Sequence, residues 1–279
     1  MIANLRRCPK ETDAPQRLRR CMNTLIVVAH PEANSFNRAL ALAAQQTLES
    51  HGNQVRFSDL HARGFAPDEH PRHYSRRKNH ERFDALTEQR FSAEHDTLPQ
   101  DVARECDDLM WAELLVLQFP LWWFGMPAIL KGWMDRVFVY GKLYSGSRRF
   151  HSGVCRGKRA VLSVTAGASW EACAHDGQEG DTRLILWPIN YSLHYLGFTV
   201  LEPLIITGVR DAFAGEDSCA HEQGLHAQLR RHAARFADLG AIPAIPFNVA
   251  QDWDERRKLK PGTEVHSPFI RHHADWRLG

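Results

Sequence analysis

The chain has 279 residues, 43% of them hydrophobic and 10% aromatic, enough to bury a full core in one large domain with appendages. Its formal net charge of +2 gives no global electrostatic case for RNA or DNA, although the 16 histidines add positive charge below neutral pH. The longest apolar run, Leu114 to Leu130, is broken by Gln118, Pro120, Gly125 and Pro127, which suits a buried strand, a turn and a helix start rather than a membrane span.

In chain order, residues 1–22 carry Arg6, Arg7, Lys10, Arg17, Arg19 and Arg20 without an apolar centre, so they read as a disordered leader, neither secretory signal nor anchor. Leu25 to Ala29 is a short apolar strand, followed by a polar turn and a helix from Asn37 to His51. The cycle repeats with strand Val55–Leu60, helix Gln100–Ala112, strand Glu113–Gln118 and helix Pro127–Phe138 with proline in its first turn. Then come strand Arg159–Thr165, helix Arg183–Leu196 interrupted by Pro188, a fifth strand Thr199–Thr207 and a last helix Glu222–Leu239. Such alternation predicts a doubly wound, five-stranded parallel sheet covered on both faces. Two segments break the rhythm. Residues 61–99 are polar, rich in His and Arg, and much longer than the ~4–6 residues of an ordinary connection, so they read as a long loop insertion, either functional or partly disordered. Residues 241–279, with Pro243, Pro246, Pro261 and Pro268, read as an extended C-terminal arm beyond a catalytic domain of residues 23–240.

The six cysteines form no CxxC pair and several fall inside predicted elements, the usage of reduced thiols in a cytoplasmic protein. His221 and His226 miss the HxxxH spacing of zinc-binding helices, and His70 and His73 lie in a polar loop without nearby cysteines, so no metal site is expected. Lys131, Asp135 and Arg136 read as a solvated or subunit-facing charged side of their helix.

Chemistry is expected at the carboxyl ends of the strands, where open parallel sheets hold their ligands. After the first strand, Ala29-His-Pro-Glu-Ala-Asn-Ser-Phe-Asn37 lacks the GxGxxG of a nicotinamide-binding fold; it offers a helix N-terminus at Ser35 and Asn37 that suits a phosphate or pyrophosphate, or is an ordinary N-cap. After the third, Trp122, Trp123 and Phe124 crowd into a turn, either as core packing or to meet a planar ligand. After the fourth, Thr165-Ala-Gly-Ala-Ser169 allows close backbone approach, as small residues do in any tight turn. A phosphate-suited turn, an aromatic wall and a small-residue turn on successive strand ends describe a flavodoxin-like flavin site.

FPLWWFGMPAILKGWMDRVF, then GKRAVLSVTAGAS, GQEGDTRLILWPI and GFTVLEP, resemble the NAD(P)H:quinone oxidoreductase family of DT-diaphorase type, flavodoxin-like FAD enzymes, from about Leu25 to about Thr207. The resemblance implies bound FAD, NAD(P)H as electron donor and two-electron reduction of quinones by a ping-pong cycle through one pocket. It implies that His30, Ser35, Phe36 and Asn37 hold the FAD pyrophosphate. Pro120, Leu121, Trp122, Trp123 and Phe124 would line the isoalloxazine, and Thr165, Ala166, Gly167 and Ala168 its polar edge. Tyr144 and Tyr195 match pocket aromatics that border the quinone, with Trp123 and Phe124 as wall and floor; either tyrosine is otherwise a packed surface ring. The family is dimeric, each flavin pocket being completed by the second subunit, with the Gln100 and Pro127 helices as the natural contact.

The chain departs from the family's better-known animal members where they carry a Tyr and a His thought to support the reduced flavin's charge; here these positions are Cys173 and Glu179, the candidate catalytic pair beside Tyr144. A carboxylate at Glu179 would repel a flavin anion unless protonated, turned away or compensated by a neighbour such as His175. Gly146 replaces a second pocket tyrosine and leaves more room. Two other readings are a flavoprotein regulatory subunit of a potassium-efflux transporter and an FMN-dependent azo or nitro reductase.

Overall fold

The structure, a computed structural model, describes residues 21–212 and 214–272. Most of the expected leader, the end of the arm and Cys8 lie outside the described residues. Strands β1 (Asn23–Val28), β3 (Leu114–Pro120) and β4 (Arg159–Thr165) are the apolar runs of the sequence. Each is buried along nearly its whole length, as central parallel strands require. They pair in parallel with β2 (Gln54–Asp59), and with β5 (Thr199–Val200) beyond β4 the order is β2-β1-β3-β4-β5, the flavodoxin-like arrangement.

The fifth strand is not continuous. It forms β5 (Thr199–Val200) and β6 (Leu204–Ile206), both parallel to β4. Pro203 between them has no N–H to give the ladder, and the Glu202 N–H is taken by Pro243 O of the arm at 2.8 Å.

Helices α1 (Phe36–Ser50) and α7 (Ser218–Ala237) cover one face, with Ala41, Ala44, Leu48 and Phe236 packed on Ile26, Val28 and Val116. The other face carries α3 (Gln100–Trp111), α4 (Ala128–Val137) and α6 (Trp187–Tyr195), whose Leu109, Trp133 and Leu193 share a core with Leu115, Leu117 and Leu162. The short α5 (Thr182–Ile185) precedes α6, and the break falls just before Pro188 as expected.

The segment 61–99 is built into the domain. It contains the helix α2 (Ala85–Glu94), which periodicity missed because its buried side chains are Glu88, Gln89 and Ser92. Glu88 accepts the Lys78 and Asn79 N–H groups at 2.7 and 3.1 Å, and Gln89 Oε1 accepts the Tyr140 N–H at 3.0 Å. Pro67 lies so close to α4 that a Cβ at Gly132 would fall 2.0 Å from its carbonyl oxygen.

The expected charged face of α4 is only half right. Lys131 and Asp135 pair on the outside, but Arg136 is 1% exposed and donates to Asp101 at 2.6 Å and to Ala66 O at 2.7 Å. Burial of a guanidinium is tolerated here because it is paired on two sides. Beside it, buried Glu105 accepts from Arg63 at 2.5 Å, Ser58 at 2.8 Å and Trp133 Nε1 at 2.9 Å.

Candidate active site

The three central strands end within two residues of one level, because Val28 is in register with Gln118, Gln118 with Ser163, and Pro120 with Thr165. The turns that follow are tied together beneath the surface. Asn37 is buried rather than capping: its Nδ2 donates to Thr165 Oγ1 at 2.9 Å, and Gln118 Nε2 donates to its Oδ1 at 2.9 Å. Leu121 N–H donates to Thr165 O at 2.8 Å. Gln118, a polar residue inside an apolar strand, is the organising side chain that sequence reasoning did not single out.

The first turn presents a helix start. Ser35 is the N-cap and its Oγ accepts the Arg38 N–H at 3.2 Å, which leaves the Phe36 and Asn37 N–H groups without an acceptor among the described residues. The turn is thus an N-cap with backbone donors to spare. His30 Nδ1 accepts the Glu32 N–H at 3.1 Å, so a neutral His30 carries its proton on Nε2 and presents a donor there. Its ring lies 5.9 Å from that of Trp122.

The second turn is strained. Trp122 and Gly125 exchange two backbone hydrogen bonds of 3.0 Å, and between them Trp123 and Phe124 adopt φ of 49° and 59°. Left-handed conformations at bulky residues cost on the order of 1–3 kcal/mol each and persist where the surroundings impose them. The strain turns the rings outward: Trp123 is 96% exposed and Phe124 57%. Neither ring is core packing. The Trp123 and Phe124 N–H groups have no acceptor among the described residues.

The third turn, Thr165 to Ala168, is fixed by Val209 N–H on Ala166 O at 3.0 Å and Gly208 N–H on Ala168 O at 2.8 Å. These bonds use its carbonyls and leave the Gly167 and Ala168 N–H groups open among the described residues. A patch of unpaired donors at three adjacent strand ends, under outward-facing aromatics, is built to receive an anionic, planar molecule.

Tyr144 and Tyr195 come together, with ring centres 5.7 Å apart in an edge-on contact. They line a cavity of about 670 Å³ with Met126, Phe138 and Leu86. Burial first, and then the neighbouring Tyr195 and Tyr140, push the Tyr144 phenol above its ordinary value, so it stays protonated at neutral pH. Its hydroxyl bonds to no described residue. Trp123 and Phe124 do not line this cavity.

Cys173 and Glu179 lie in the turn before α5. Cys173 is buried and its carbonyl accepts the Thr182 N–H at 3.3 Å and hydroxyl at 3.2 Å. Glu179 is exposed, its N–H bonded to Ala172 O at 2.9 Å. His175 sits with Asp176, Nδ1 to Oδ1 at 3.9 Å, rather than with Glu179. Among the described residues no helix is long and apolar enough to cross a membrane.

A family described as having a flavodoxin-like fold matches residues 22–236. The chain is 40% identical over 192 residues to NAD(P)H dehydrogenase [quinone] 1 of Cavia porcellus, covering 66% of this chain and 68% of that one. It is 39% identical over 183 residues to ribosyldihydronicotinamide dehydrogenase [quinone] of Homo sapiens, covering 65% of this chain and 79% of that one. A candidate quinone reductase from Klebsiella pneumoniae superposes with a TM-score of 0.76 at 32% identity, covering 88% of this chain and 99% of the other.

Proposed function

The chain belongs to the flavodoxin-like family that these quinone reductases share, and we propose that it carries FAD and reduces quinones by two electrons from NAD(P)H in a ping-pong cycle. The observation that carries this reading is the set of open N–H donors at three strand ends beneath the strained aromatic turn. The residues present fit a flavin: Phe36, Asn37 and His30 Nε2 would hold the pyrophosphate, and Gly167 and Ala168 N–H the polar edge of the ring. Trp122, Trp123 and Phe124 would lie along the ring itself, in line with Pro120 and Leu121.

When bound, FAD supplies a ring that takes a hydride from NAD(P)H and passes it to the quinone. The protein's own contribution is position and electrostatics. Donors fixed before the reaction stabilise negative charge where it builds up, at no cost of reorganisation. The buried Asn37–Gln118–Thr165 bonds hold those donors in place, and Gly167 admits close approach, since even a Cβ there would meet nothing nearer than Val209 O at 3.7 Å. Tyr144, protonated and unpaired, donates a hydrogen bond to a quinone oxygen, and Tyr195 walls the acceptor. Of the departing pair, enclosed Cys173 shapes its turn, and Glu179 stands exposed to water.

Homodimerisation is part of the same proposal, because a second copy reunites the aromatic turn with a Tyr144–Tyr195 wall; the outward sides of α3 and α4 are its contact, in a cytoplasmic protein. Mass spectrometry of the flavin released on denaturation is the test of the cofactor. FAD is the expected result; FMN would overturn this cofactor assignment and favour the azo or nitro reductase.

A further inference from the structure

Beneath the C-terminal arm lies a cavity of about 1000 Å³, at the upper end of the volumes that hold small ligands, and none of the turns that form the flavin cradle lines it. Its walls are fixed. At its base Gly197, with φ of 99°, packs on Gly153 so closely that a Cβ at Gly197 would stand 2.9 Å from Gly153 Cα. On the far side the arm is tied to the domain by Ile245 N–H on Val200 O at 2.8 Å and Trp187 Nε1 on Ser267 Oγ at 3.0 Å, and braced on itself by Asn248 Nδ2 on Glu264 O at 2.7 Å. A cavity with pre-formed walls binds without the cost of ordering them.

The lining is aromatic below and cationic above. Phe247 stacks on His194 at 4.0 Å with the rings 3° from parallel, and Phe150 and Tyr191 flank the pair. Burial lowers the His194 pKa to about 4, so this floor is uncharged at neutral pH. Arg149, Arg156 and Arg257 stand around it against Asp254 and Glu255. Asp254 Oδ1 is already engaged by the Arg256 and Lys258 N–H groups, both at 2.8 Å. The side chains of Arg156 and Arg257 have no acceptor among the described residues, and Arg149 reaches only the Tyr195 hydroxyl at 3.5 Å.

We propose that this cavity is a second ligand site, for a planar aromatic carboxylate whose ring lies on Phe150, Tyr191 and Phe247 and whose charge meets the arginine rim. The site is separate from the acceptor pocket but adjoins it, since Tyr191 lines both cavities and Phe150 packs on Tyr195 at 4.9 Å. The inference is independent of the flavin chemistry.

Calorimetric titration of the holoprotein with 2-naphthoate tests it, with 2-naphthalenemethanol as the uncharged analogue. One molecule should bind per chain, and loss of the carboxylate, or Arg156→Gln, should each weaken binding about tenfold, the scale of a charge-assisted hydrogen bond. Ala250→Trp, at an exposed position on the rim, should abolish binding, while a saturating benzoquinone should not displace the ligand. No binding would overturn the proposal. So would binding that benzoquinone displaces and neither variant changes, which would place naphthoate in the acceptor pocket. A flavin that NAD(P)H cannot reduce would sink the quinone reductase reading and leave this one standing.

Discussion

The cluster around Glu105 and the turn from Leu121 to Met126 handle polar groups in opposite ways. At Glu105 every partner is close: buried Ser58 and Trp133 and half-buried Arg63 point at one carboxylate that water does not reach. At the turn the backbone is strained, the rings face outward and the donors of Trp123 and Phe124 are left open. The first arrangement is what stability requires of buried charge. The second lowers stability in isolation and makes sense only when something else completes it.

Breaking the enclosed cluster should produce the largest loss of stability. Glu105→Ala leaves Ser58 and the Trp133 N–H without their buried acceptor and Arg63 with only Asp108 at 3.4 Å and Phe57 O at 2.8 Å, an expected cost of about 3 kcal/mol, read as a shifted denaturant midpoint. Gly132→Ala forces α4 away from Pro67 and should cost about 1–3 kcal/mol by overpacking. Trp123→Gly sharpens the contrast: removing left-handed strain at an exposed site should leave stability unchanged or raise it by about 1 kcal/mol. The same change should weaken flavin retention several-fold, since an aromatic contact is worth about 0.5–1.5 kcal/mol. A stabilised Trp123→Gly protein that holds flavin as before would dissolve the distinction between the two regions.

A pH-dependent effect concerns His232 of α7, buried and bonded through Nε2 to Ser163 Oγ at 2.7 Å. Burial depresses its pKa from 6.5 to about 4, so the folded state favours the neutral ring. A depressed pKa means that the unfolded chain takes up the proton first as pH falls. The contribution is therefore full above pH 6.5 and is lost progressively toward pH 4. Melting temperature should fall across that window, and less steeply in His232→Gln.

The sheet was legible because β1, β3 and β4 are buried on both faces and so are written as unbroken apolar runs. Helix α2 was hidden because what it buries is polar, and its signal was a cap: Asp84 accepts the Thr87 N–H at 2.8 Å at the head of a run of helix formers. The aromatic turn showed in the sequence as three neighbouring rings, but their exposure did not, since it depends on two backbone angles that no residue type announces. Arg136 was placed on the surface for its charge, and Asp101, 35 residues earlier, is what allows it to be buried. Gln118 points to the same lesson, because its partner Asn37 comes from another strand's turn.

The central claim is that the open donors and the aromatic turn serve two-electron transfer even with Cys173 and Glu179 in place of the family's Tyr and His. Anaerobic stopped-flow absorbance of the purified protein's flavin, mixed first with NAD(P)H and then with a simple benzoquinone, tests it directly. The account predicts rapid, complete bleaching followed by complete return of the oxidised spectrum. A bound flavin that NAD(P)H leaves oxidised would contradict it, and the chain would then be read as a flavoprotein whose role is regulatory binding.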